Sequence, residues 1–153
     1  MSATIYEPGE GIRTIDLAGT TVTAKADGAA TGDAFVVAET TLAPGGFEPP
    51  LHLHREMAEG LYLLAGRLDL QVGDDRRTAV AGTFVSIPPG VAHTMSVAGE
   101  EPVRMLVILS NPARATQMFE GMEQLFANGA PDPETAGPLL AQLDMEMLAP
   151  SAS

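Results

Sequence analysis

Three histidines are all the imidazoles this 153-residue chain has, and their spacing is its first feature with chemical content. His52 and His54 stand at i and i+2 in the stretch from Gly46 to Gly66, and Glu59 follows five residues on. His93 lies in a second Gly/Pro-punctuated stretch, from Gly82 to Val97. Side chains two apart on an extended strand point to the same face, so His52 and His54 can converge on one point. A carboxylate returning from the next turn can join them. Three imidazoles and one carboxylate suit a first-row divalent metal, and one such ion per chain is expected. With neutral histidines the ion keeps a net positive charge and, if six-coordinate, two open positions. Those positions allow an enolate or carboxylate to be held, dioxygen to be activated beside substrate, or a carbonyl or water to be polarised. Glu59 is a metal ligand in this reading and, if it swings free, the one obvious general base at the metal. The donor set does not choose between iron, manganese, nickel, cobalt and zinc, because affinity follows the metal series.

The elements that must position these groups read as short strands. Ile12, Ile15 and Leu17 suit an edge strand, residues 20–25 a β-branched second one, and residues 35–42 a stronger third, ended by Ala43-Pro44-Gly45-Gly46. Asp27-Gly28 and Gly32-Asp33 mark a loop. After the histidine pair come runs at 61–65, 67–72, 77–80, 84–87, 93–98 and 103–110, separated by Gly, Pro and Asp turns. This is the pattern of a sandwich or barrel. Gly46, Gly66, Gly82 and Gly90 are expected to sit in turns with positive φ. The runs at 61–65 and 105–109 are apolar on both faces, so a second sheet with C-terminal helices, or another subunit, must cover them. From Asn111-Pro112 the period changes. Asn111 suits an N-cap, Pro112 the first helical position, and Met118, Met122, Leu125 and Phe126 fall on one stripe, read as core packing. Asp132-Pro133 opens a second helix through Leu140 and Leu143, which Pro138 shortens or kinks. A single domain over 1–153 is expected, with the barrel at about 12–110 and a helical segment at about 112–148.

Composition narrows the partners. A net charge of −12 argues against nucleic acid and anionic membranes, since phosphate binding needs a basic surface. No apolar run approaches the ~20 residues of a membrane span, and the first residues show no basic-then-apolar leader pattern. With no cysteine, disulfides and thiolate metal sites are excluded, in keeping with a cytoplasmic protein. The few aromatics predict a pocket lined mainly by Met, Val and Leu, with Met95 and Met105 lining the pocket or the core. Such a pocket suits a flat, apolar small molecule reaching the metal through its oxygens.

The two stretches resemble the two signature motifs of the cupin superfamily. The first motif asks for Gly, His-x-His, Glu and Gly, met by Gly46, His52, His54, Glu59 and Gly66 at the family spacings. The second is met by Gly82, Pro88, Gly90 and His93, with Val97 where the family pattern has Asn. Val97 shares strand parity with His93 and Met95, so it is expected to make the pocket wall greasier. The resemblance implies an all-β fold, a double-stranded β-helix (jelly-roll) barrel with a short C-terminal helical segment; a homodimer is expected. Among cupins the chain resembles compact quercetin 2,3-dioxygenase-like proteins, which implies oxidative ring opening of a flavonol-like substrate with dioxygen, Glu59 accepting the substrate proton. Other small cupins are non-redox cyclases, isomerases or decarboxylases, or bind an effector without chemistry.

Overall fold

The computed structural model describes residues 2–149. Eleven strands and three helices follow one another along it. The strands are β1 (Arg13–Leu17), β2 (Thr20–Ala26), β3 (Val36–Leu42), β4 (His52–Leu53), β5 (Glu59–Ala65), β6 (Arg67–Val72), β7 (Asp75–Val80), β8 (Phe84–Ile87), β9 (His93–Val97), β10 (Val103–Leu109) and β11 (Glu146–Met147). The helices are α1 (Gly28–Thr31), α2 (Pro112–Phe126) and α3 (Pro133–Gln142). The strands form two antiparallel sheets, in the orders β1-β2-β3-β10-β5-β8 and β11-β4-β9-β6-β7. This is the expected jelly roll.

Period-2 alternation decides which side chains lie between the sheets. In β3 the buried residues are Val36, Ala38, Thr40 and Leu42, and in β10 they are Val103, Met105, Val107 and Leu109. Leu61 and Leu63 of β5 and Leu68 and Leu70 of β6 complete the inner layer. The outer face of β5 and β8 is less well covered: Tyr62 and Phe84 stand opposite each other and are 40% and 58% exposed. Helix α2 instead packs at the barrel mouth. Its buried stripe is Ala115, Met118, Met122 and Phe126. The Phe126 ring meets Phe47 edge-on at 4.7 Å, and Arg13 of β1 pairs with Glu123.

Several local expectations need correction. The glycine at φ +75° in the turn before the histidine pair is Gly45, while Gly46 is constrained by space: a Cβ there would lie 3.0 Å from the Gly19 carbonyl carbon and 3.1 Å from Ala43 O. Gly66, Gly82 and Gly90 do take positive φ, and at Gly66 a Cβ would also collide with the Pro102 carbonyl oxygen. Asn111 precedes α2 but is left-handed (φ +53°), and its side chain caps nothing, because an N-cap must be extended for its oxygen to reach the N2 or N3 amide. The 27–33 loop holds a one-turn helix, α1, capped by Asp27 Oδ1 accepting from the Ala30 amide. Pro138 sits inside α3, which runs on to Gln142. The helical segment then stops short of 148. Residues 146–147 form β11, an extra strand paired with β4.

Candidate metal centre

All four sequence-predicted donors meet at one end of the barrel. β4 brings His52 and, just past its end, His54; the start of β5 brings Glu59, and the start of β9 brings His93. His52 and His93 are direct cross-strand partners, with ring centroids 4.2 Å apart. Donor atoms of His52, His54, Glu59 and His93 all lie within 4.8 Å of one another. Glu59 Oε2 is 2.9 Å from His93 Nε2 and 3.3 Å from His54 Nε2. The three histidines are buried and the Glu59 side chain is 9% exposed.

Hydrogen bonding fixes which nitrogen of each ring faces the centre. His52 Nδ1 donates to Pro50 O at 2.7 Å, His54 Nδ1 to Asp144 O at 2.6 Å, and His93 Nδ1 to Val91 O at 3.0 Å. A carbonyl only accepts, so each Nδ1 must carry its proton, and each Nε2 is the nitrogen left to offer a lone pair. Pro50 and Val91 lie two residues before their histidines, so two of the three anchors are local to the strand entry.

The charge balance at the centre favours a cation. Burial presses the Glu59 carboxyl towards its neutral form, yet hydrogen bonds and charge from His54 and His93 outweigh this and hold it well below the ordinary carboxylate range. Burial, then the neighbouring His93, push His52 down to about 4, so it is a neutral imidazole near neutral pH. His54 is lowered by burial and raised more by Glu59, ending above the ordinary value. Three converging imidazoles around one buried carboxylate thus make a place that stabilises positive charge. First-row ions bind imidazole and carboxylate at ~2.0–2.2 Å, so donors on a common ion span roughly twice that distance. The cluster fits such an ion.

Sequence reasoning missed the residue that holds the ligand loop in place. Asp144 has φ +59°, which aims its backbone oxygen at His54. Its carboxylate accepts from the Arg55 amide at 2.7 Å and the Glu56 amide at 3.0 Å. β11 follows directly and pairs with β4 through Glu146 opposite Leu53 and Met147 opposite His52. No local pattern marks this strand in the sequence, because it is two residues long and Asp144 stands outside it in the left-handed region. The charged neighbours of the motif have structural work. Arg55 pairs with Glu146, Glu56 with Arg114, and Glu48 Oε1 accepts from the Val97 amide at 2.9 Å.

Beside the donors lies a cavity of about 90 Å³, walled by His52, His54 and Glu59 on one side and mainly by methionine and aliphatic residues on the other. Met95 and Met105 line it as expected, and so do Met118 and Met122 of α2, which therefore do more than fill the core. Val97 is not among the lining residues; it packs half-buried against the core. Of the aromatics, Phe47 and Phe119 reach the cavity, while Phe35, Tyr62 and Phe84 are exposed. Thr40 also lines it, 6% exposed.

Comparison with known proteins agrees with this architecture. Residues 38–109 match the cupin domain family model. Quercetin 2,3-dioxygenase of Bacillus subtilis (strain 168) is 36% identical over 74 residues, covering 47% of this chain and 21% of that protein. The chain therefore spans about a fifth of the length of the curated relative it matches. Among solved structures, oxalate decarboxylase of Bacillus subtilis superposes with TM-score 0.55 at 25% identity, over 65% of this chain and 28% of that one. A predicted oxalate decarboxylase of Thermotoga maritima gives TM-score 0.61 at 18% identity, over 71% and 99%, a likeness of fold. No helix among the described residues is long and apolar enough to cross a membrane. The two motifs, the two-sheet jelly roll and the matching family model agree that residues 38–109 carry a cupin domain.

Proposed function

We propose that this cupin is a metal-dependent enzyme acting on a small, flat, oxygenated molecule, and that His52, His54, His93 and Glu59 would hold one divalent transition metal. The observation that carries the reading is the common anchoring of all three Nδ1 atoms to backbone carbonyls, which leaves three Nε2 atoms and one carboxylate turned to a single buried point. When bound, the metal supplies Lewis acidity and, if redox-active, access to dioxygen chemistry. The chain's own residues do the rest. Glu59 is the acceptor for a substrate hydroxyl proton, because it is the carboxylate that lines the cavity. The thioethers and aliphatics opposite exclude water and hold the apolar body of the substrate.

The likeness to quercetin 2,3-dioxygenase supports a dioxygenase with a flavonol-like substrate. Oxygen uptake with quercetin, on chelator-stripped protein reloaded in turn with iron, manganese, cobalt, nickel and zinc, tests it. Metal-dependent uptake that disappears in Glu59→Gln is the expected result. No uptake with any metal, despite stoichiometric loading, would reject the dioxygenase. A second reading has its own support in the cavity size. About 90 Å³ is small beside the roughly 300–1,000 Å³ of ordinary ligand sites, which favours a smaller enolisable substrate and non-redox isomerase, cyclase or decarboxylase chemistry. A zinc form active on such a substrate without oxygen would select it. Homodimer formation belongs to the same proposal, supported by the exposed Tyr62 and Phe84 on the outer sheet face, and sedimentation equilibrium reads it directly.

A further inference from the structure

A second space shares part of its lining with the cavity beside the four donors: a groove of about 210 Å³, open to solvent, lined mainly by residues of α2, β1 and β2. Two residues line both spaces, Val22 of β2 and Phe119 of α2. They differ in freedom. Val22 is buried inside the six-stranded sheet, and its β-branched side chain is stiff about χ1. Phe119 is half-buried at the edge of the helix's buried stripe, next to exposed Glu120, and a helical aromatic has two accessible χ1 positions. Of the two shared residues, the phenyl ring is thus the one with freedom to move.

The floor of the groove is apolar, formed by Ile12, Ile15, Ala24 and Val36, and its charged residues include Arg13, Asp27 and Glu120. Arg13 is already paired with Glu123. An occupant that matches is the apolar far end of a molecule whose oxygens sit at the metal end. Cavity and groove together reach roughly 300 Å³, the lower end of ordinary ligand pockets, whereas the cavity alone does not. We propose that the groove is the second compartment of the binding site, and that Phe119 is the specificity-determining residue that sets how long a ligand the site accepts. This rests on the metal-site reading above.

The probes are linear alkyl hydroxamates, from acetohydroxamate to decanohydroxamate, titrated into the cobalt(II)-loaded protein and followed by the visible spectrum and by calorimetry. Wild type, Phe119→Ala and the milder Phe119→Leu are compared after their folding is checked by circular dichroism. Each methylene that leaves water strengthens binding roughly fourfold. In wild type the climb with chain length should pause where the chain meets the ring. In Phe119→Ala it should continue without a step, so that the longest probes bind at least about tenfold tighter than to wild type, with Phe119→Leu between. Acetohydroxamate should bind all three alike. Parallel length profiles for all three proteins, with acetohydroxamate bound, would overturn the role of Phe119 and leave the metal site standing. Isotherms that shift with protein concentration and ignore chain length would overturn it too, giving the groove to a second copy of the chain. Acetohydroxamate failing to bind any loaded form would remove the metal-site reading and this proposal with it.

Discussion

The two walls of the central cavity are held by different forces. On the donor wall each imidazole is pinned through Nδ1 to a backbone carbonyl, and the carboxylate is wedged between two of the rings. On the opposite wall Met95, Met105, Met118, Met122 and Met145 arrive from β9, β10, α2 and the segment after α3, and packing alone holds them. Directional bonds fix atoms to the fractions of an ångström that metal coordination demands. Unbranched thioethers do the reverse, refilling space around whatever shape arrives. Changes on the donor wall should therefore move metal affinity, and changes on the soft wall should move ligand preference and stability.

The sharpest break comes from His93→Ala. This ring is fully buried, shares the centre with Glu59, and has no substitute imidazole, since the chain's other two are already there. Tightly bound metal, measured by elemental analysis after dialysis, should fall from one equivalent to background, a larger loss than the roughly 10–100-fold of an outer-shell change. His52→Ala and His54→Ala should behave alike, each keeping a barrel-type circular dichroism spectrum. A full equivalent retained in any of the three would mean that the wall is not the metal site.

Asp144 is the next test, because it supports the donor wall from outside. Asp144→Ala removes the acceptor for the Arg55 and Glu56 amides and leaves a non-glycine residue at φ +59°. His54 should lose its fixed orientation, and metal affinity should fall about 10–100-fold by chelator competition. Asp144→Asn keeps an acceptor oxygen and a side chain that tolerates the left-handed region, so it should sit near wild type. Asp144→Gly relieves the backbone and still lacks the carboxylate. If the glycine variant binds metal normally, the support is conformational and the hydrogen bonds are incidental.

The same division explains what the sequence revealed. The donors were legible because His-x-His on a strand, a carboxylate five residues on and a histidine after Pro-x-Gly are local patterns, and two of the three Nδ1 anchors, Pro50 and Val91, are local as well. The alternating run of β6 and the short strand-like runs set off by Gly, Pro and Asp turns gave the barrel for the same reason. Asp144 was not legible, since it acts 90 residues from His54 and its strand, β11, is two residues long, too short for periodicity to register. The soft wall was half legible. A helical stripe at Met118 and Met122 predicts burial, but whether the buried face meets core or cavity depends on where α2 lands, which only the packed structure decides.

On the soft wall, Met122→Ala should lower stability by about 2–5 kcal/mol, as core truncations do, and Met122→Leu by less than about 1.5 kcal/mol. Both read out in urea unfolding. Metal affinity should stay within about twofold for Met122→Leu, because sites without shared hydrogen bonds act nearly independently. The order of preference among hydroxamate probes should change instead. A Met122→Leu protein that loses metal would show that the walls are mechanically one.

Val97→Asn should give the smallest effect, and it is informative for that reason. It restores the residue of the family pattern at a position that shares strand parity with His93 but does not reach the cavity. The Val97 amide stays bonded to Glu48, since the backbone is unchanged, so the loop before β4 keeps its tie to β9. The half-buried side chain exchanges two methyl groups for an amide against the core, which should lower stability by about 1 kcal/mol. Metal content and hydroxamate preference should both match wild type. A tighter metal site in Val97→Asn would mean that this end of β9 communicates with His93 through the strand, and the donor wall would then extend further from the centre than its hydrogen bonds alone define.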